Sequence, residues 1–169
     1  GEPKSCNIVT SCEGKGKTFI MFSDDLDKAL ATFVLANGAA ATGQKVTIFF
    51  TFWGLNVIKK LHKPNVEKDI FGKMFGMMLP SSSRKLKLSK MSMGGIGGKM
   101  MRYIMNRKGI DSLESLRQQA LENGVEFIAC QMSMDVMGVK QEELLDEVTI
   151  GGVATYMERA DNANINLFI

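Results

Sequence analysis

What constrains this chain most is an alternation: short runs of β-branched and aromatic residues, each followed by a stretch with helical spacing. The runs are residues 18–22 (TFIMF), 45–50 (KVTIFF), 125–129 (VEFIA), 148–150 (VTI) and 165–169 (INLFI). They are nearly all apolar, the pattern of strands buried on both faces. After the first run, Ser23 is the expected cap of a helix whose acidic opening, Asp24, Asp25 and Asp27, suits the positive end of the helix dipole. Leu26, Leu30, Phe33, Ala36, Asn37 and Ala40 follow at helical spacing, with Gly43 as the stop. Residues 111–124 (DSLESLRQQALENG) read as a further helix, 140–147 (KQEELLDE) as a short one and 151–163 (GGVATYMERADNA) as the last. Residues 52–61 (FWGLNVIKKL) look like another helix start. The class is therefore α/β: an open parallel sheet of about five strands with helices on both faces.

The chain's 169 residues suit one domain. A flexible tail over 1–17 and an α/β domain over 18–169 are expected, with a long, irregular insertion at about 62–110. Hydrophobic residues at 45% and charged residues at 23% are ordinary for a soluble globular protein. The best candidate for a membrane span, 46–58 (VTIFFTFWGLNVI), is shorter than the ~20 apolar residues such a helix needs. The N-terminus lacks the apolar core of a signal peptide. Three cysteines are an odd number and too few for a disulfide framework, so a reducing cytoplasm is expected.

Net charge is +3 but unevenly placed. Residues 59–108 hold 13 of the 21 Lys and Arg against Glu67 and Asp69, a net +11, and the remainder carries −8. The same segment holds eight of the 13 methionines. Three readings stand beside simple packing. Flexible thioethers and cations could form a contact surface for an acidic partner. Residues 68–80 (KDIFGKMFGMMLP) and 97–108 (GGKMMRYIMNRK) combine apolar and basic groups as peripheral membrane elements do. Soft-metal binding by methionine is chemically allowed, but no repeated spacing supports it. Nucleic acid is not expected, because Trp53 and Tyr103 are too few for a stacking platform.

In open parallel sheets ligands gather at the carboxyl ends of the strands. Ser23-Asp24-Asp25, Thr51-Phe52-Trp53-Gly54, Cys130-Gln131-Met132 and Gly151-Gly152 should meet there. Cys130 ends a strand where a helix-like segment begins, a position that favours thiolate, the nucleophilic form. The alternative is a small buried apolar residue, a role free cysteine often fills. The only histidine, His62, lies in the basic insertion, so acyl transfer through a Cys-His pair is disfavoured. Lone-thiolate chemistry remains: sulfur relay, disulfide exchange or peroxide reduction. Asp135 either orients a group in the site or faces water, and Trp53 either walls the pocket or belongs to the core. Gly151-Gly152 would leave room for an anion at a helix start, or simply let the helix pack. Two phosphate-like motifs are discounted: GKGKT (14–18) precedes a strand rather than following one, and GGIGG (94–98) reads as a hinge. Cys6 and Cys12 are too isolated for a metal site, and no metal is expected.

Three stretches carry a resemblance: FFTFWGL (49–55), ACQMSMDVMG (129–138) and GGVATYMERA (151–160). Together they resemble the DsrE/DsrF/DsrH-like family, in its larger branch with a basic insertion between the second and third strands. The resemblance implies a flavodoxin-like fold, homo-oligomeric assembly and sulfur held as a persulfide on Cys130, with no cofactor. The strand-end positions, not the resemblance, make Ser23, Trp53, Gly54, Gln131, Gly151 and Gly152 the expected substrate-binding residues. The resemblance also implies rhodanese-type enzymes and TusA-like carriers as sulfur donors or acceptors. The matched motifs bring no histidine, so catalytic transfer and passive carriage both remain open. The rival classes are a thiol redox or peroxidase-type protein and a non-catalytic oligomeric interaction module.

Overall fold

The structure, a computed structural model, describes residues 16–61, 67–68 and 70–169; Cys6, Cys12 and His62 lie outside them. Strands β1 (Gly16–Met21), β2 (Val46–Phe50), β3 (Glu126–Cys130), β4 (Thr149–Gly151) and β5 (Ala163–Phe168) form one sheet. Its order is β4-β3-β2-β1-β5, with every pairing parallel. The helices are α1 (Leu26–Ala41), α2 (Ile70–Met78), α3 (Ile96–Arg107), α4 (Leu113–Glu122), α5 (Gln131–Met137) and α6 (Val153–Asp161). This is the open α/β sheet that the alternating pattern calls for. No helix among the described residues is long and apolar enough to cross a membrane.

Strand order dictates the layers. From β1 to β4 the chain steps across the sheet in one direction, and right-handed crossovers keep those connections on one face. The return from β4 to β5 runs the opposite way, so the same handedness sends α6 to the other face. Side-chain alternation agrees. Phe19, Met21, Ile48, Phe50, Phe127 and Ala129 join Leu26 and Phe33 of α1 in the main core, whereas Phe49, Ile128 and Cys130 pack with Tyr156 of α6. The Phe33, Phe50 and Phe127 rings sit 5.3–6.5 Å apart at the centre of the main core. Burying each such side chain stabilises the fold by about 2–3 kcal/mol. The second layer is thin, a single nine-residue helix.

Several local expectations are corrected. Asp25, not Ser23, is the N-cap of α1. The Ser23 hydroxyl instead accepts from the Asp25 N–H at 3.1 Å and donates to its carboxylate at 2.9 Å, closing a turn that delays the helix. Residues 52–61 do not open an α-helix; Phe52–Ile58 is a 3₁₀ helix with Leu55, Val57 and Ile58 fully buried. Phe52 enters it at φ 48°, a left-handed conformation that is rare for a bulky residue. Residues 140–147 supply only a 3₁₀ turn, Gln141–Glu143.

The insertion is not wholly irregular, and parts of it pack against the domain. It forms α2 and α3, and its GGIGG stretch is a helix start rather than a hinge. Gly95, at φ 100°, is the N-cap of α3, and a Cβ on Gly97 would fall 1.9 Å from the Met91 carbonyl oxygen. Leu86 is 2% exposed within the main core, and Leu26 N–H donates to the Lys87 carbonyl at 2.7 Å. Lys68 and Glu143 form an almost fully buried ion pair at 2.8 Å.

Candidate functional site

All the strands point their carboxyl ends the same way, so one edge of the sheet collects the loops that follow them. Ser23 follows β1, Trp53 and Gly54 follow β2, Cys130 and Gln131 stand at the β3–α5 junction, and Gly151-Gly152 stand at the β4–α6 junction. Cys130 pairs directly with Gly151 across β3 and β4. It is also the N-cap residue of α5, while Gly152 is the N-cap of α6. Two helices therefore start from this pair of strand ends, and the Cys130 side chain makes no capping hydrogen bond.

Cys130 is 2% exposed. Its side chain lies on the α6 face, in a small cluster with Phe49, Ile128 and Tyr156. The Tyr156 ring lies 5.2 Å from that of Phe49, and its hydroxyl is 3.1 Å from the Thr18 hydroxyl. That hydrogen bond and ring contact hold α6 over the cysteine. At the far end of α6, Arg159 binds Glu126 at 2.8 Å, which holds the Glu126 carboxyl below its usual range.

The two glycines after β4 differ. A Cβ on Gly151 would sit 3.0 Å from Ile128, so packing accounts for that glycine. A Cβ on Gly152 would meet nothing within 4 Å, so space is open at the start of α6. Gly54 is sterically required, because a Cβ there would fall 1.9 Å from the Met21 carbonyl oxygen. Its N–H is engaged by the Phe22 and Thr51 carbonyls at 2.9 and 3.0 Å. Trp53 is 41% exposed at the rim. The Gln131 side chain donates to Asp135 at 3.0 Å on the outer side of α5, so Asp135 orients Gln131.

The sequence places Asp24, Thr51 and Phe52 at this edge but does not show their partners, nor Tyr156, Ser133, Phe22 or Phe168. Tyr156 belongs to the same buried cluster as Cys130, and its place one helical turn after Gly152 was the available signal. The buried Thr51 and Ser133 hydroxyls, 2.7 Å apart, tie the loop after β2 to α5. Phe22 stacks against both Phe52 and Phe168, with centroids 5.5 and 5.6 Å apart, an aromatic cluster along the carboxyl edge. Asp24 accepts from Asn56 at 3.0 Å, and burial raises its carboxyl above the usual range. Among the described residues, no three His, Cys, Asp or Glu side chains are grouped to hold a metal ion.

Fold and site together define a class: a parallel α/β domain with a cysteine at the end of an interior strand, where one helix starts and a second starts after the neighbouring strand. The chain belongs to the DsrE/DsrF/DrsH-like family, whose sequence model matches residues 14–168. It is 44% identical over 155 residues to the uncharacterized protein YrkE of Bacillus subtilis (strain 168), covering 92% of this chain and 97% of that one. It is 38% identical over 161 residues to the sulfur carrier protein DsrE2 of Allochromatium vinosum, covering 93% and 99%. Among solved structures, the ychN protein of E. coli matches with a TM-score of 0.54 at 11% identity, over 91% of this chain and 99% of that one, a likeness of fold alone.

Proposed function

We propose that this protein carries sulfane sulfur as a persulfide on Cys130 and passes it to an acceptor thiol. The observation that carries the reading is the position of Cys130, at a strand end where a helix starts, in a chain 38% identical to a named sulfur carrier. In the loading step the Cys130 thiolate attacks the terminal sulfur of a donor persulfide. A new S–S bond forms, the donor's S–S bond breaks, and the donor thiolate leaves, with no net oxidation. In the unloading step an acceptor thiolate attacks the same terminal sulfur and Cys130 leaves as thiolate. Backbone donors at the start of α6 would stabilise an anionic terminal sulfur, and Gly152 at that start carries no side chain to crowd it. Rhodanese-type enzymes and TusA-like carriers are the proposed donors and acceptors, in the cytoplasm and within a homo-oligomer.

Mass spectrometry after incubation with thiosulfate, polysulfide or peroxide tests the reading. A gain of one sulfur, reversed by dithiothreitol and abolished in Cys130→Ser, is the expected result. A gain of oxygen instead would point to a thiol peroxidase, and no modification to an interaction module. Loading that persists in Cys130→Ser would place the sulfur elsewhere.

A second reading concerns the insertion. Ile70, Phe71, Met77 and Met78 on or beside α2 are 70–89% exposed, and Ile96 and Tyr103 on α3 are 64% and 61% exposed, within the segment of net +11. This surface is suited to a partner or to the face of an anionic membrane. Sedimentation with vesicles of anionic and of neutral lipid tests the membrane form. Binding only to anionic vesicles, lost in high salt, is expected; equal recovery with both kinds would refute it.

A further inference from the structure

We infer that β5 is an association edge, pairing antiparallel with β5 of a second copy about a two-fold axis near Asn166. The proposal rests on the homo-oligomer reading above and specifies its surface. In the order β4-β3-β2-β1-β5, β5 is bonded to β1 on one side, and no other described strand pairs with it. Ile169 turns both its N–H and its carbonyl toward β1, bonded to Ile20 and Phe22 at 2.8 Å. In a parallel strand these groups alternate sides by residue, so those of Leu167 also face inward while Asn166 and Phe168 present theirs outward.

Natural sheets protect such edges with lysines, prolines, bulges or very short strands. The opposite edge, β4, is three residues long and follows the acidic stretch Glu142, Glu143, Asp146 and Glu147. β5 is twice as long, and residues 162–169 (NANINLFI) contain no charged residue and no proline. Its one irregularity lies at the amino end, between the Gly16 and Lys17 pairings, leaving the rest regular. Ile165 (43% exposed), Leu167 (41%) and Phe168 (68%) leave apolar surface on both faces of the strand. On the α6 side the patch continues into Met157, 54% exposed.

The occupant follows from charge and geometry. An acidic partner would be drawn to the basic insertion, whereas an uncharged strand meets a copy of itself without repulsion. With the axis at Asn166, Ile165 of each copy stands opposite Leu167 of the other, an apolar cross-strand pair. The two sheets join into one, with both α6 helices on the same face and the two Cys130 sites at opposite ends.

Light scattering on the full chain, with two sets of variants, tests this. The Ile165→Lys/Leu167→Lys double variant should lower the solution mass at least two-fold, while Met77→Lys/Met78→Lys leaves it unchanged. In a chain whose native cysteines are serine, Asn166→Cys should oxidise to a disulfide-linked dimer, because hydrogen-bonded antiparallel pairs place their Cα atoms about 5.5 Å apart, within disulfide reach. This second variant decides the matter should the lysine pair prevent folding. A wild-type protein with the mass of one chain would end both the edge proposal and the homo-oligomer reading. A wild-type oligomer that forms no Asn166→Cys disulfide and ignores the lysine pair would end the edge proposal alone.

Discussion

At the scale of single residues, reactivity at Cys130 depends on access. The thiol is 2% exposed, in a cluster with Phe49, Ile128 and Tyr156 beneath α6, so a donor reaches sulfur only when that packing opens. Tyr156→Ala removes the ring and the hydroxyl contact with Thr18, and should raise the rate of Cys130 alkylation by iodoacetamide several-fold. An unchanged rate would show that Tyr156 does not guard the site. Asp24 offers a separate test. Burial raises its folded pKa above the ordinary carboxylate value, so the folded state holds the proton more tightly than the unfolded chain. The ionised group therefore costs stability once pH exceeds the folded pKa, and that cost vanishes below the unfolded value. Asp24→Asn, which can still accept from Asn56, should raise the urea midpoint at pH 7 and leave it unchanged at pH 3. A lowered midpoint at pH 7 would show that ionised Asp24 stabilises the fold. The placement of Cys130, Trp53 and Gly151-Gly152 on one edge was legible because strand ends can be read from apolar runs. Whether Cys130 is buried or presented was left open by the sequence, because the packing around it involves α6, which crosses the sheet on the opposite face from the other connections.

At the scale of elements, the segment after β2 shows where periodicity misleads. Leu55, Val57 and Ile58 supply helix-forming apolar residues, yet the chain takes 3₁₀ form because it runs directly over the end of β1. Gly54 passes so close to the Met21 carbonyl that only hydrogen fits in place of a Cβ. Gly54→Ala should therefore destabilise the fold by about 1–3 kcal/mol or more, the cost of overpacking. Thermal unfolding within a degree or two of wild type would mean that the loop relaxes freely. Gly152→Ala has open space around its Cβ and should cost far less, which separates a packing glycine from one that leaves room at the site. The strand order was also beyond the sequence. Five apolar runs give a parallel sheet, but nothing local says that β5 crosses back to flank β1.

At the scale of the whole molecule, charge separates the basic insertion from an acidic remainder, +11 against −8, yet packing joins them. Composition alone made residues 59–108 look like a contact surface, because methionine and lysine report surface character and not which few residues turn inward. Leu86 enters the main core at 2% exposure, and Lys68 neutralises Glu143, whose side chain is 4% exposed. Removing residues 66–108 would delete that leucine and strand a buried carboxylate without its cation, a change that typically costs about 3–5 kcal/mol by itself. Leu86→Ala should cost about 2–5 kcal/mol, while Met77→Lys, at 89% exposure, should stay within about 0.5 kcal/mol of wild type. Urea denaturation of the three variants, followed by circular dichroism, checks the order: deletion worst, Leu86→Ala intermediate, Met77→Lys near wild type. A deletion variant with the wild-type midpoint would make the insertion a dispensable arm after all. The expected order makes it part of the domain, a surface that binds outward because it is anchored inward.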